Sequence, residues 1–193
     1  MNTVDLSVNN SKEPLNLLSR PKLKQVNNLV MDQIIKAPSK TIFRLDMKQI
    51  GDANASGIDE VIAKPVKWMI EQYKEYKVDK YLFLDNLSSQ DDFDHEYNIE
   101  STFIIEELCT VAKVGESYSI IGYLGGTKDA LNEILEFVYT KKEVTARDVV
   151  INFGKKLNTA STQLSKLHAK RLISREEVQI AEGGRQYVYK SLF

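Results

Sequence analysis

Three short apolar runs constrain this chain more than any other feature. "TIFRLDM" (41–47), "KYLFLDNL" (80–87) and "SYSIIGYLGG" (117–126) have the composition of strands, and a stretch of helical periodicity stands before or between each. Strands separated by helices cannot close as hairpins, because each helix returns the chain to the same end of the sheet. They predict an α/β fold with a small, mainly parallel sheet of three or more strands and covering helices. "KYLFLDNL" is apolar enough to be buried on both faces.

The intervening helices read as follows. "RPKLKQVNNLVMDQIIKA" puts Leu23, Val26, Leu29, Val30, Ile34 and Ile35 on one face and ends before Pro38. "NASGIDEVIAKPVKWMIEQYKEY" has Asn54 or Ser56 as its cap and Pro65 as the place for a kink. "IESTFIIEELCTVAKV" reads as a third helix, with Cys109 as a small buried hydrophobe. Residues 1–18 are polar and predict a flexible arm, so the α/β domain spans 19–126.

After Gly125-Gly126 the alternation stops, and residues 127–193 form a second domain. "TKDALNEILEFVYTKKE" is a helix capped by Thr127, with Leu131, Ile134, Leu135 and Val138 inward. "TARDVVINFG" is a short helix that Thr145 and Asp148 cap and Gly154 ends. A third helix begins at Leu157, and its stripe of Leu157, Ala160, Leu164 and Leu167 predicts a face turned to a core. "EEVQIAEGGRQYVYKSLF" alternates on both sides of Gly183-Gly184, the pattern of a hairpin.

Charge divides along the same boundary. From Lys141 to Phe193 there are 11 Lys and Arg against 5 Asp and Glu, a net of +6, whereas the first 140 residues carry a net of −7. A basic segment on an acidic body predicts that one piece meets a polyanion. One cysteine rules out a disulfide framework, and neither a membrane span nor a secretory signal is legible, so a cytoplasmic protein without membrane contact is expected.

Catalytic chemistry has little to stand on. The acidic run Asp91, Asp92, Asp94, His95 and Glu96 matches no metal loop, and "GYLGGTK" lacks a complete phosphate-binding loop. No nucleophile, base and orienting group come together, so neither an enzyme nor a cofactor or metal is expected. Asp46, Asp85 and Asn86 fall at strand ends, where ligands of open α/β sheets bind, which makes them an effector-site candidate.

"VTARDVVINFGKKLNTASTQLSKLHAKRLISRE" resembles the DNA-binding segment of winged helix-turn-helix regulators of the MarR and ArsR kind. The run into the wing, "L-x-x-L-x-x-x-x-L-I-x-R", is Leu164, Leu167, Leu172, Ile173 and Arg175; the family's turn glycine is replaced by Lys170 or Arg171. The resemblance implies that the third helix enters the major groove of double-stranded DNA. Asn158, Thr159, Thr162 and Gln163 would then face bases, Lys155, Lys156, Lys166 and Lys170 would meet phosphates, and Arg185 on the wing would reach a minor groove. His168, beside that stripe, is expected to pack or to touch phosphate.

"FRLDMKQIGDANASGIDEVI", followed by "YLFLDNL", resembles STAS domains through "D-x-x-x-S-G" and the apolar helix after it. The resemblance implies a phosphorylatable serine at Ser56, whereas the residues alone allow Asn54 and Ser56 to be simple caps. The expectation is a DNA-binding transcriptional regulator of bacterial type whose STAS-like α/β domain senses a signal or a protein partner. The alternative is a STAS-like adaptor whose winged helix docks onto protein, switched at Ser56. Symmetric DNA binders are commonly dimers, and the helix near residues 20–37 is one candidate homodimer surface.

Overall fold

Parallel pairing dominates the first part of the chain. In the computed structural model, which describes residues 1–9, 11, 13–87, 95–125, 128–179 and 183–193, five strands form one sheet: β1 (Asn2–Asp5), β3 (Thr41–Asp46), β5 (Lys80–Asp85), β6 (Cys109–Val114) and β7 (Ser117–Gly122). Their order is β1-β3-β5-β6-β7. The first three pairs are parallel and β6–β7 is antiparallel. A separate parallel pair joins β2 (Leu15–Leu17) to β4 (Ile50–Ala53). The chain divides into two units, Met1–Leu124 and Gly125–Phe193.

Residues expected to be a flexible arm are instead built into the sheet. β1 lies parallel to β3, and the Leu6 N–H continues the ladder to the Arg44 carbonyl at 2.9 Å. Two glutamines hold the next residues. Gln33 accepts from the Ser7 N–H (3.0 Å) and donates to its carbonyl (2.7 Å), while Gln49 accepts from Val8 N–H (3.2 Å) and donates to the Leu6 carbonyl (2.9 Å). These carboxamides act as strand partners, and with the backbone satisfied Leu6 and Val8 are buried.

α1 (Arg20–Lys36) buries Leu23, Val26, Val30 and Ile34, but Ile35 is exposed. The helix expected across residues 54–76 changes winding. α2 (Ala55–Ile58) passes through a π turn at Asp59–Ala63 into α3 (Lys64–Tyr76). The Lys64 N–H reaches back five residues to Asp59. The wider turn immediately precedes Pro65, which has no N–H and whose ring would crowd the preceding turn of a regular helix.

The helix expected across 99–114 is corrected to a helix and a strand. α4 (His95–Ile105) is closed by Glu107 two residues beyond its end, whose φ of 54° is left-handed. The Leu108 N–H bonds the Phe103 carbonyl and the Glu107 N–H bonds that of Ile104, a Schellman closure with glutamate in the position glycine usually takes. The chain then runs straight into β6, where Cys109 is buried and free, and turns at Gly115 into β7.

The second unit holds α5 (Lys128–Lys141), β8 (Glu143–Thr145), α6 (Ala146–Phe153), α7 (Leu157–Ala169), β9 (Ser174–Gln179) and β10 (Arg185–Lys190). Thr127, the expected cap of α5, lies outside the described residues. The sheet is antiparallel in the order β8-β10-β9, with Val188 opposite Thr145 on one side and Glu176 on the other. At the start of α6 the Thr145 hydroxyl accepts from the Asp148 N–H and the Asp148 carboxylate accepts from the Thr145 N–H, a reciprocal capping box. Gly154, at φ 64°, ends it. Ile134, Leu135, Val138, Val149, Leu164 and Leu167 make the core.

Candidate nucleic-acid interface

α7 has two unlike sides. Ala160, Leu164, Leu167 and His168 are fully buried. Asn158, Thr159, Thr162 and Lys166 are exposed on the opposite side, and Ser161 and Ser165 are half-buried on its flank. Thr162 donates its hydroxyl to the Asn158 carbonyl at 2.8 Å. Thr162 nonetheless stays exposed.

Two expectations about this helix are corrected. Leu157 is not in the buried stripe; it is 51% exposed, because it occupies the first position of α7, before the helix meets the core. Gln163 is half-buried where its neighbour Thr162 is exposed. It stands one turn before buried Leu167, and its Oε1 is shut away from solvent with no hydrogen-bond partner among the described residues.

The cations are distributed around this face. Lys156 precedes the helix without capping it, and the first turn has no acidic residue. The first-turn N–H groups are therefore left for water or an anion. Lys155 sits over the Phe153 ring, 5.7 Å from its centroid. Lys170 is at the C-terminal cap, and Arg171 after it takes a left-handed conformation (φ 64°), one that glycine usually fills. The Leu172 N–H to Leu167 carbonyl bond closes the turn. His168 is buried, with Nδ1 3.2 Å from the Arg171 guanidinium, so it packs and does not face the surface.

A cleft of about 400 Å³ runs between α7 and the hairpin. Leu157, Ser161 and Ser165 line one wall, Arg185 and Tyr187 the other, and Arg147 stands where α6 begins. Ser165 and Tyr189 share a hydroxyl–hydroxyl hydrogen bond of 3.2 Å. Arg175 stacks on the Tyr187 ring at 4.1 Å from its centroid. Arg185 pairs with Glu177 at 3.3 Å, whereas Arg147 makes no ion pair among the described residues. Sequence reasoning missed Arg147, Ser161 and Tyr187. The period-2 pattern, which puts residues 185 and 187 on one face, was the available signal.

In the first unit Ser56 is exposed, and the capping role belongs to Asn54, whose Oδ1 accepts from the Gly57 N–H at 2.9 Å. Ser56 lines a groove of about 620 Å³ with Asn27, Asp59, Glu60 and Ile105. Ile105 is 79% exposed. Asp59 and Glu60 both pair with Lys64, and Glu106 pairs with Lys67.

The strand-end acids form a closed network. Arg44 bonds Asp85 (2.7 Å) and Asp5 (2.9 Å), and Asn86 donates to Asp46 at 2.9 Å. Burial opposes the Asp85 carboxylate, but the Arg44 guanidinium and the Asn86 N–H together hold its pKa below the ordinary value. Of the acidic run, Asp91, Asp92 and Asp94 lie outside the described residues; His95 donates from Nε2 to the Gly51 carbonyl at 2.6 Å. Among the described residues no group of three or more acidic, histidine or cysteine side chains is placed to hold a metal, and no helix is long and apolar enough to cross a membrane. Comparison with protein-family models, curated proteins and solved structures finds no match to this chain.

Proposed function

We propose that this chain is a DNA-binding transcriptional regulator in which the second unit is a winged helix-turn-helix and α7 is its recognition helix. The observation that carries the reading is the outward face of α7. Asn158, Thr159, Thr162 and Lys166 are all exposed there, backed by a fully buried apolar side. Small polar side chains allow the close approach that base edges require, and the order α5, β8, α6, α7, hairpin is that of a winged helix. In its present rotamer Thr162 has committed its proton to Asn158, so toward a base it offers an acceptor and a methyl group. Gln163 is left out of the reading set. The first unit is then a STAS-like signal-receiving or partner-binding domain.

Duplex-binding titrations at several salt concentrations test the reading. Lys166→Ala is expected to weaken binding to every sequence and lower the salt slope by about one unit, whereas Thr162→Ala changes the order of preference among sequences. If both folded variants bind as the parent does, α7 does not read DNA.

One observation favours a second reading, a protein-interaction adaptor. Ser56 is free of the capping role and lines a groove of about 620 Å³ in the first unit, beside exposed Ile105. A phosphate on Ser56 would lie in the first turn of a helix, where negative charge is stabilised.

A further inference from the structure

Resting on the DNA-binding reading, we propose that the cleft between α7 and the hairpin is a phosphodiester clamp. Arg147 and Arg185 hold phosphates of one DNA strand there, and Arg185 does not work as a minor-groove finger. The two guanidinium groups come from distant positions, the first turn of α6 and the first residue of β10, yet both line one cleft of about 400 Å³. Guanidinium is the side-chain group best matched to phosphate oxygens.

The chemistry of the walls selects a sugar–phosphate backbone over base edges. Ser161 and Ser165 are small enough for a strand to lie against the helix, and the Tyr187 and Ser161 hydroxyls can donate to phosphate oxygens. Leu157, half-exposed at the start of α7, supplies apolar surface for a sugar. This also gives a role to a leucine that the core does not use. Base readout would need paired donors and acceptors, and Gln186 is the one carboxamide that lines the cleft.

Arg185 is also tethered. Its pair with Glu177 on the neighbouring strand, at 3.3 Å, holds it to the sheet. Glu177 is not a cleft-lining residue, so it competes with phosphate for Arg185 while leaving Arg147 unopposed.

The test measures duplex affinity of the full chain against salt, for the preferred site and for sites flanked by A·T or G·C runs. Arg147→Gln and Arg185→Gln are each expected to lower affinity several-fold for all duplexes alike and to reduce the salt slope by about one unit. Arg147→Lys should restore the slope, and Glu177→Gln should tighten binding several-fold. Circular dichroism verifies folding of each variant. The clamp is overturned if Arg147→Gln keeps the parental affinity and slope. It is also overturned if Arg185→Gln loses affinity only at A·T-flanked sites, the mark of a minor-groove contact. Loss at Lys166→Ala without loss at Arg147→Gln would sink the clamp alone, whereas a parent that binds no duplex at low salt would sink both readings.

Discussion

Gly57→Ala pits two effects of opposite sign against each other. In an open helix the change would stabilise by about 0.8–1.0 kcal/mol, because alanine loses less backbone entropy. At Gly57, however, an added Cβ would lie 2.2 Å from the Leu17 carbonyl oxygen and 2.7 Å from the Leu17 Cβ. Leu17 cannot easily retreat, since it is buried and paired in β2 with Ala53 of β4. Forcing a methyl group into a packed contact costs about 1–3 kcal/mol, and an approach this close to backbone belongs at the upper end, so after the propensity gain a net destabilisation of about 1–2 kcal/mol is expected. Trp68, the chain's one tryptophan, lies in α3 of the first unit, so its fluorescence follows this unit during urea unfolding. With m near 1–3 kcal/mol/M, the midpoint should fall by roughly 0.3–2 M. Ser56→Ala is the internal control; its midpoint should barely move, because Asn54 makes the cap. A rise in the Gly57→Ala midpoint would refute the close-approach argument and leave helix propensity as the governing term.

Leu164→Ala should destabilise the second unit by about 2–5 kcal/mol, a core truncation, whereas Leu157→Ser should change its stability by less than about 0.5 kcal/mol; equal losses in thermal unfolding would return Leu157 to the core. The depressed pKa of Asp85 contributes stability that is complete above its ordinary value of 3.8 and is lost as pH falls through the lower folded value. Trp68-monitored stability of the parent should therefore decline in that acidic window, and Arg44→Gln, which removes the main partner, should flatten the decline; an unchanged acid limb would show that the pair does not set it.

Local periodicity alone determined a good part of this protein. Strands at Thr41–Asp46, Lys80–Asp85 and Ser117–Gly122 were legible from their apolar runs, and the Thr145–Asp148 capping box and the Gly154 stop from residue type at fixed spacing. Each is a short-range feature, decided by neighbours a few residues apart. The polar face of α7 was equally legible at Asn158, Thr159, Thr162 and Lys166. Tertiary structure decided the rest, because the deciding partners are distant in sequence. β1 exists because β3, Gln33 and Gln49 satisfy a backbone whose own side chains look like those of an arm. α4 is closed by a glutamate that adopts a conformation normally left to glycine, so no residue type announced β6. Helical spacing put Leu157 in line with Leu164 and put Gln163 beside Thr162, but spacing cannot say where along an axis the core begins or how far around the helix it extends. Packing exposed the leucine and shut the Gln163 Oε1 away from solvent. The cleft assembles Arg147, Ser161 and Arg185 from three elements, and only the folded chain brings them to one place.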